Sequence, residues 1–216
     1  MYKNELEQKL QNNHIYNSIF FFGLSVFLFE YFTKKIISII GSEENVKNVY
    51  FDDYNFETCK NYLSQSSLFA DSNILVIKTI NKIDVKELKI LIEISNKIDN
   101  SFLIVQLYPN NDDVKYAKHS ASMQTQFSKF KDGASFVRFF KPNLRESLEL
   151  LTEKANTLSL KISEQLLKDL YQNNSEDLEL SILDLDKLTI YNEEISNKYI
   201  EDIKSGISQI SIDDFI

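Results

Sequence analysis

Ser18-Ile19-Phe20-Phe21-Phe22-Gly23-Leu24-Ser25-Val26-Phe27-Leu28-Phe29-Glu30 is the stretch that decides the fold. The unbroken apolar run Ile19 to Phe22, closed by Gly23, reads as a strand buried on both faces. Leu28, Phe32, Ile36 and Ile40 then recur four apart, which predicts a helix over residues 25–40 with Gly41 as its C-cap. A buried strand feeding directly into a helix is the opening unit of a parallel α/β sheet.

The same alternation continues outward. A short polar helix over residues 3–12 precedes the first strand. Further strands are expected at 46–51, 73–79, 102–107 and 135–139, with helices at 56–66, 85–98 and 112–127 between them. Asp84 and Asp112 are placed to cap two of these helices. The pattern changes at Lys141-Pro142, beyond which only helices are expected, over 144–158, 163–172 and 176–191, with a shorter turn around 199–204. Ser163 and Ser175 are expected as N-caps there. Residues 1–140 therefore read as an α/β domain and 141–205 as a small helical one.

In such a sheet a nucleotide sits after the first strand. A phosphate loop needs Gly-x-x-x-x-Gly-Lys-Ser/Thr, so that bare backbone N–H groups cradle the phosphates and Lys meets their charge. Here only Gly23 survives. Leu28, Phe29 and Glu30 stand where Gly, Lys and Ser or Thr belong, and they are expected to repel a triphosphate. The strands ending Val76-Ile77-Lys78-Thr79 and Val105-Gln106-Leu107-Tyr108 carry no carboxylate for Mg²⁺. The site reads as catalytically silent, with no cofactor.

Composition narrows the partners. The 216 residues are 43% hydrophobic and 26% charged, with 16 Phe, 11 Tyr and no Trp. A net charge of -8 argues against binding nucleic acid alone, because a basic face is needed to displace counterions from phosphates. The single cysteine, Cys59, excludes an internal disulfide and a Cys-rich zinc site, and a reducing cytoplasm is the simplest setting. The N-terminus is polar and partly acidic, unlike a secretion signal. The apolar stretch 19–32 is interrupted by Gly23, Ser25 and Glu30 and needs no membrane. His14 and His119 are isolated, Cys59 reads as a buried thiol, and Asp52-Asp53 as a solvated strand end. Asp213-Asp214 reads as a further helix cap.

Residues 65–69 are Gln65-Ser66-Ser67-Leu68-Phe69, in a polar hinge just before the run Ile74-Leu75-Val76-Ile77. Two large apolar side chains at such a corner are suited to insertion into another protein's pocket. The alternative reading folds them back onto the chain's own core. The spacing Gln-x-x-Leu-Phe resembles the short motif by which bacterial proteins dock onto the DNA sliding clamp.

Taken together, the chain resembles the delta subunit of the bacterial DNA polymerase III clamp loader. The stretch from Ile19 to Glu30 looks like that family's first strand and helix entry. Ser67-Leu68-Phe69 looks like its Ser-Leu-Phe signature, and Asp184-Leu185-Asp186-Lys187-Leu188-Thr189-Ile190-Tyr191 resembles its lid helix. The stretch that follows, with Glu201-Asp202-Ile203, is similar too. The family often has Arg after Ser-Leu-Phe, where this chain has Asp71-Ser72-Asn73, and a Trp near the domain boundary, where it has Phe139-Phe140.

The resemblance implies an AAA+-like α/β fold with a helical lid and a mechanical role without catalysis. Gln65, Ser67, Leu68 and Phe69 would bind the sliding clamp (the beta subunit), and the chain would hold its ring open for loading on primed DNA. It also implies that 206–216 begin a helical collar, through which motor and delta-prime subunits assemble, so that the chain is a monomer in isolation and meets DNA only within the complex. Two other readings remain open: a degenerate P-loop-like NTPase, and a clamp-binding adaptor outside the loader.

Overall fold

The computed structural model describes residues 1–41, 43–65, 72–130, 132–191 and 193–208. Its chain contacts divide it into two units, Met1–Lys141 and Pro142–Ile216.

The first unit is a five-stranded parallel sheet. In chain order it contains α1 (Lys3–Gln11), β1 (Ser18–Gly23), α2 (Val26–Ile40), β2 (Val46–Tyr50), α3 (Phe56–Ser64), β3 (Asn73–Thr79), α4 (Val85–Lys97), β4 (Ser101–Leu107), α5 (Asp113–Phe127) and β5 (Ala134–Phe139). The strands lie in the order β2-β3-β4-β1-β5. β1 is an interior strand, with Phe20 opposite Val105 of β4 and Phe136 of β5. Every β1 residue is buried, and β3 and β4 are almost as fully buried. Apolar runs without alternation are what a sheet covered on both faces requires.

Successive residues of a strand face opposite ways, so each strand feeds two cores. Phe20, Phe22, Leu75, Ile77, Leu103 and Val105 pack with Cys59 and Leu63 of α3, Leu88, Leu91 and Ile92 of α4, and Met123 and Phe127 of α5. On the other face Phe21 and Phe139 meet α2, with Phe139 5.9 Å from Phe29 and 5.2 Å from Phe32, ring centre to ring centre. Each such side chain fully buried contributes about 1.5–3 kcal/mol.

Helix ends follow local chemistry. Ser25, Asn55, Asp84 and Asp112 each accept a backbone N–H at the start of α2, α3, α4 and α5. Gly41 ends α2 in the left-handed region at φ 76°, where an L side chain is disfavoured.

The second unit is helical: α6 (Leu144–Thr157), α7 (Glu164–Asn173), α8 (Leu178–Leu188) and α9 (Asn197–Ser208). Leu151, Leu167, Leu170, Leu185, Leu188 and Ile200 are buried in it. Lys154 of α6 pairs with Asp186 of α8 at 2.6 Å, and the Ile195 N–H donates to the Lys161 carbonyl at 2.8 Å. Asn143 caps α6 in a reciprocal capping box with Glu146, and Ser163 caps α7.

One expected cap is wrong. Ser175 does not start α8. Ser175 and Glu176 run through the left-handed region at φ 54° and 61°, and Asp177 accepts the Leu180 N–H instead. The loop needs two more residues to turn, which moves the cap downstream. The expected strand end at 46–51 also stops one residue early, because Phe51 turns at φ 39° into a 3-10 turn, Phe51–Asp53.

Candidate functional site

Of the four expected docking residues, Gln65 is described. Ser67, Leu68 and Phe69 lie outside the described residues, as does the expected cap at Asp213-Asp214. The chain on either side is held closely. Cys59 and Leu63 bury one face of α3, and Gln65 follows it exposed. The Gln65 carbonyl accepts the Asn73 side-chain N–H at 2.6 Å. The Asn73 backbone N–H donates to the Asn100 carbonyl at 2.8 Å, and the Ser101 hydroxyl donates to the Leu63 carbonyl at 3.1 Å. Gln65 and Asn73 are thus anchored together where β3 and β4 begin.

The loop after β1 lies at the opposite, carboxyl ends of the strands. In open parallel sheets this is where ligands collect. Gly23 has φ 128°, and a Cβ there would come within 1.9 Å of the Phe139 carbonyl oxygen. Only glycine fits. The Gly23 N–H donates to the Tyr116 hydroxyl at 2.7 Å, and that hydroxyl in turn lies 3.1 Å from the Gly23 and Leu107 carbonyl oxygens. The Leu24 N–H goes to the Phe139 carbonyl at 2.8 Å and the Leu28 N–H to Ser25 Oγ at 3.4 Å. Three N–H groups of this turn therefore already have partners within the protein.

Leu28 and Phe29 were expected to obstruct a phosphate directly. Instead both are buried in the core, at 1% and 0% exposure, because the helical period turns them towards the sheet. Glu30 faces away from them into a polar cluster. Its carboxylate meets Lys78 Nζ at 2.7 Å and accepts the Tyr108 hydroxyl at 2.5 Å. Tyr108 also lies within hydrogen-bond reach of Gln106 Oε1, and buried Gln106 donates through Nε2 to Thr33 Oγ1 at 2.8 Å. An ammonium from β3 and a carboxylate from α2 thus neutralise each other above the sheet. The sequence already contained Lys78, Glu30 and Tyr116, but their pairing depends on contacts across 48 to 93 positions of chain.

The remaining candidates make local contacts. Cys59 is buried, and desolvation pushes its thiol pKa up, which makes the reactive thiolate scarcer. Burial first, and then the Glu87 carboxylate, hold Tyr54 protonated; its hydroxyl donates to Glu87 at 3.1 Å. His119 accepts the Lys82 N–H at Nδ1, and desolvation, then Lys115 and Lys82, lower its pKa. His14 packs edge-on against Tyr16. Among the described residues no group of three or more His, Cys, Asp or Glu is placed to hold a metal. None of their helices is long and apolar enough to cross a membrane.

The sheet order, the helix-covered faces and the trailing helices define an α/β fold similar to that of AAA+ proteins. The solved structures bear this out. The Bacillus subtilis DNA clamp loader delta protein (YqeN) superposes with a TM-score of 0.57 at 14% identity, over 94% of this chain and 61% of that one. The Thermotoga maritima RuvB Holliday junction branch migration motor gives 0.57 at 12% identity, over 93% of this chain and 67% of that one. At these identities the likeness is one of fold. The family HP_1247_M, described as a middle domain, matches residues 143–202. Two Helicobacter pylori proteins, from strains J99 and 26695, are each 29% identical over the whole chain. The chain spans 66% of their length.

Proposed function

We propose that the chain is a delta-type clamp-loader subunit, which grips the sliding clamp through Gln65, Ser67, Leu68 and Phe69 and favours its open ring. The observation that carries this reading is the Gln-x-x-Leu-Phe spacing over residues 65–69, in a chain whose fold is shared over 94% of its length with a clamp loader delta protein. Burying two such side chains in an apolar pocket is worth roughly 3–6 kcal/mol. The hydrogen bond from the Asn73 side chain to the Gln65 carbonyl joins the described residues on either side of the motif. A binder opens a ring only if it binds the open form better. The chain should therefore bind a clamp whose ring interface has been broken by mutation at least about tenfold, or 1.4 kcal/mol, more tightly than the intact ring. Equal affinity for the two forms would remove the opening role.

In this reading the chain is no enzyme by itself: it uses no cofactor and does not hydrolyse ATP. The likeness to the RuvB motor favours a second reading, a degenerate NTPase. Calorimetry with Mg-ATP separates the two. The Gly23, Leu24 and Leu28 N–H groups are committed and Glu30 neutralises Lys78, so no saturable heat is expected. Micromolar binding that is lost when this loop is mutated would favour the NTPase.

A further inference from the structure

The carboxyl ends of β2 and β3 carry an apolar corner that neither core uses. Tyr50, Phe51 and Ile80 are 46%, 41% and 40% exposed. Tyr50 and Phe51 adjoin in the chain, and Tyr50 stands opposite Lys78 in the parallel ladder, two residues before Ile80. Scattered exposed apolar residues are ordinary, whereas a contiguous group marks an interaction surface. Phe51 adds strain, since a bulky residue at φ 39° is an outlier. Its ring lies edge-on to Tyr108 at 5.5 Å.

This corner already holds one cation against an aromatic face. Lys78 Nζ lies 5.1 Å from the centre of the Tyr50 ring, with its charge met by Glu30. The next two residues, Asp52 and Asp53, are exposed, and neither is paired with a cation among the described residues. Flat aromatic faces beside unpaired carboxylates are complementary to a guanidinium, which is planar, weakly hydrated and always charged. The carboxylates would repel a nucleic-acid backbone.

We infer that the Tyr50–Phe51–Ile80 corner is a docking surface for a protein partner that presents an arginine side chain. The guanidinium stacks on Tyr50 or Phe51 and its charge is met by Asp52 and Asp53. This goes beyond the clamp reading and does not depend on it, since Gln65 and Asn73 lie at the other ends of the strands.

The test is an amide NMR titration of the 216-residue chain with capped Gly-Arg-Gly peptide. The same peptide with citrulline, of like shape and no charge, is the control. Shifts should centre on residues 50–54 and 78–81, and the citrulline peptide should bind at least about threefold more weakly. An Asp52→Asn, Asp53→Asn double variant should erase that difference without changing the melting temperature. Phe51→Gly should weaken the arginine peptide and raise the melting temperature, because the left-handed strain is released.

Three outcomes overturn the inference. One is equal binding of the two peptides. Another is shifts spread over Pro142–Ile216 instead. Of the 24 Lys and Arg and 32 Asp and Glu, 17 and 16 fall in Met1–Lys141, which leaves 7 and 16 there to attract any cation. The third is a Phe51→Gly chain that melts lower and binds unchanged, which would make Phe51 a packing residue.

Discussion

Phe29 and Glu30 are adjacent, yet one is sealed in the core against Phe139 and the other faces Lys78 and Tyr108. Reading the phosphate-loop register alone assigned both to repelling a nucleotide. The helix period assigns them to different environments, which changes what a mutation should do. Phe29→Ala empties a fully buried site, so it should cost about 3–5 kcal/mol in urea denaturation. A cost under about 1 kcal/mol would return Phe29 to the loop surface. The departures from the phosphate-loop pattern were legible residue by residue. What replaces the pattern was not, because the Tyr116 hydroxyl on Gly23 and the Lys78 ammonium on Glu30 come from distant parts of the chain.

At the scale of elements, local chemistry was the more legible part. β3 has its expected limits, and Ser163, Asp84 and Asp112 cap their helices as their positions predict. Each depends on a side chain reaching an N–H two or three residues on, so the sequence alone suffices. Ser175 failed for the complementary reason: backbone conformation in a loop, not side-chain type, decides where α8 can begin.

The two left-handed glycines separate local from long-range cause. A Cβ on Gly41 meets nothing within 4 Å, so Gly41→Ala should cost only the conformational penalty, about 1–2 kcal/mol. A Cβ on Gly23 would overlap the Phe139 backbone as well, so Gly23→Ala should cost at least about 2 kcal/mol more. Equal losses in parallel denaturation curves would mean that β5 shifts freely to make room.

For the whole molecule, the α/β class and the parallel sheet followed from the order of apolar runs. The placement of β1 between β4 and β5 did not, since strand order depends on which crossovers pack. The central claim, that Leu68 and Phe69 insert into the sliding clamp, was legible as a motif. It concerns residues outside those described, so it must be met in solution. The most direct measurement is the affinity of the wild-type chain, Leu68→Ala and Phe69→Ala for the clamp of the same organism, alongside their folding stabilities. The account predicts that each substitution weakens binding by about 2–4 kcal/mol, while stability changes by less than about 1 kcal/mol. Unchanged clamp binding with a large loss of stability would make the pair part of the chain's own core and contradict the account.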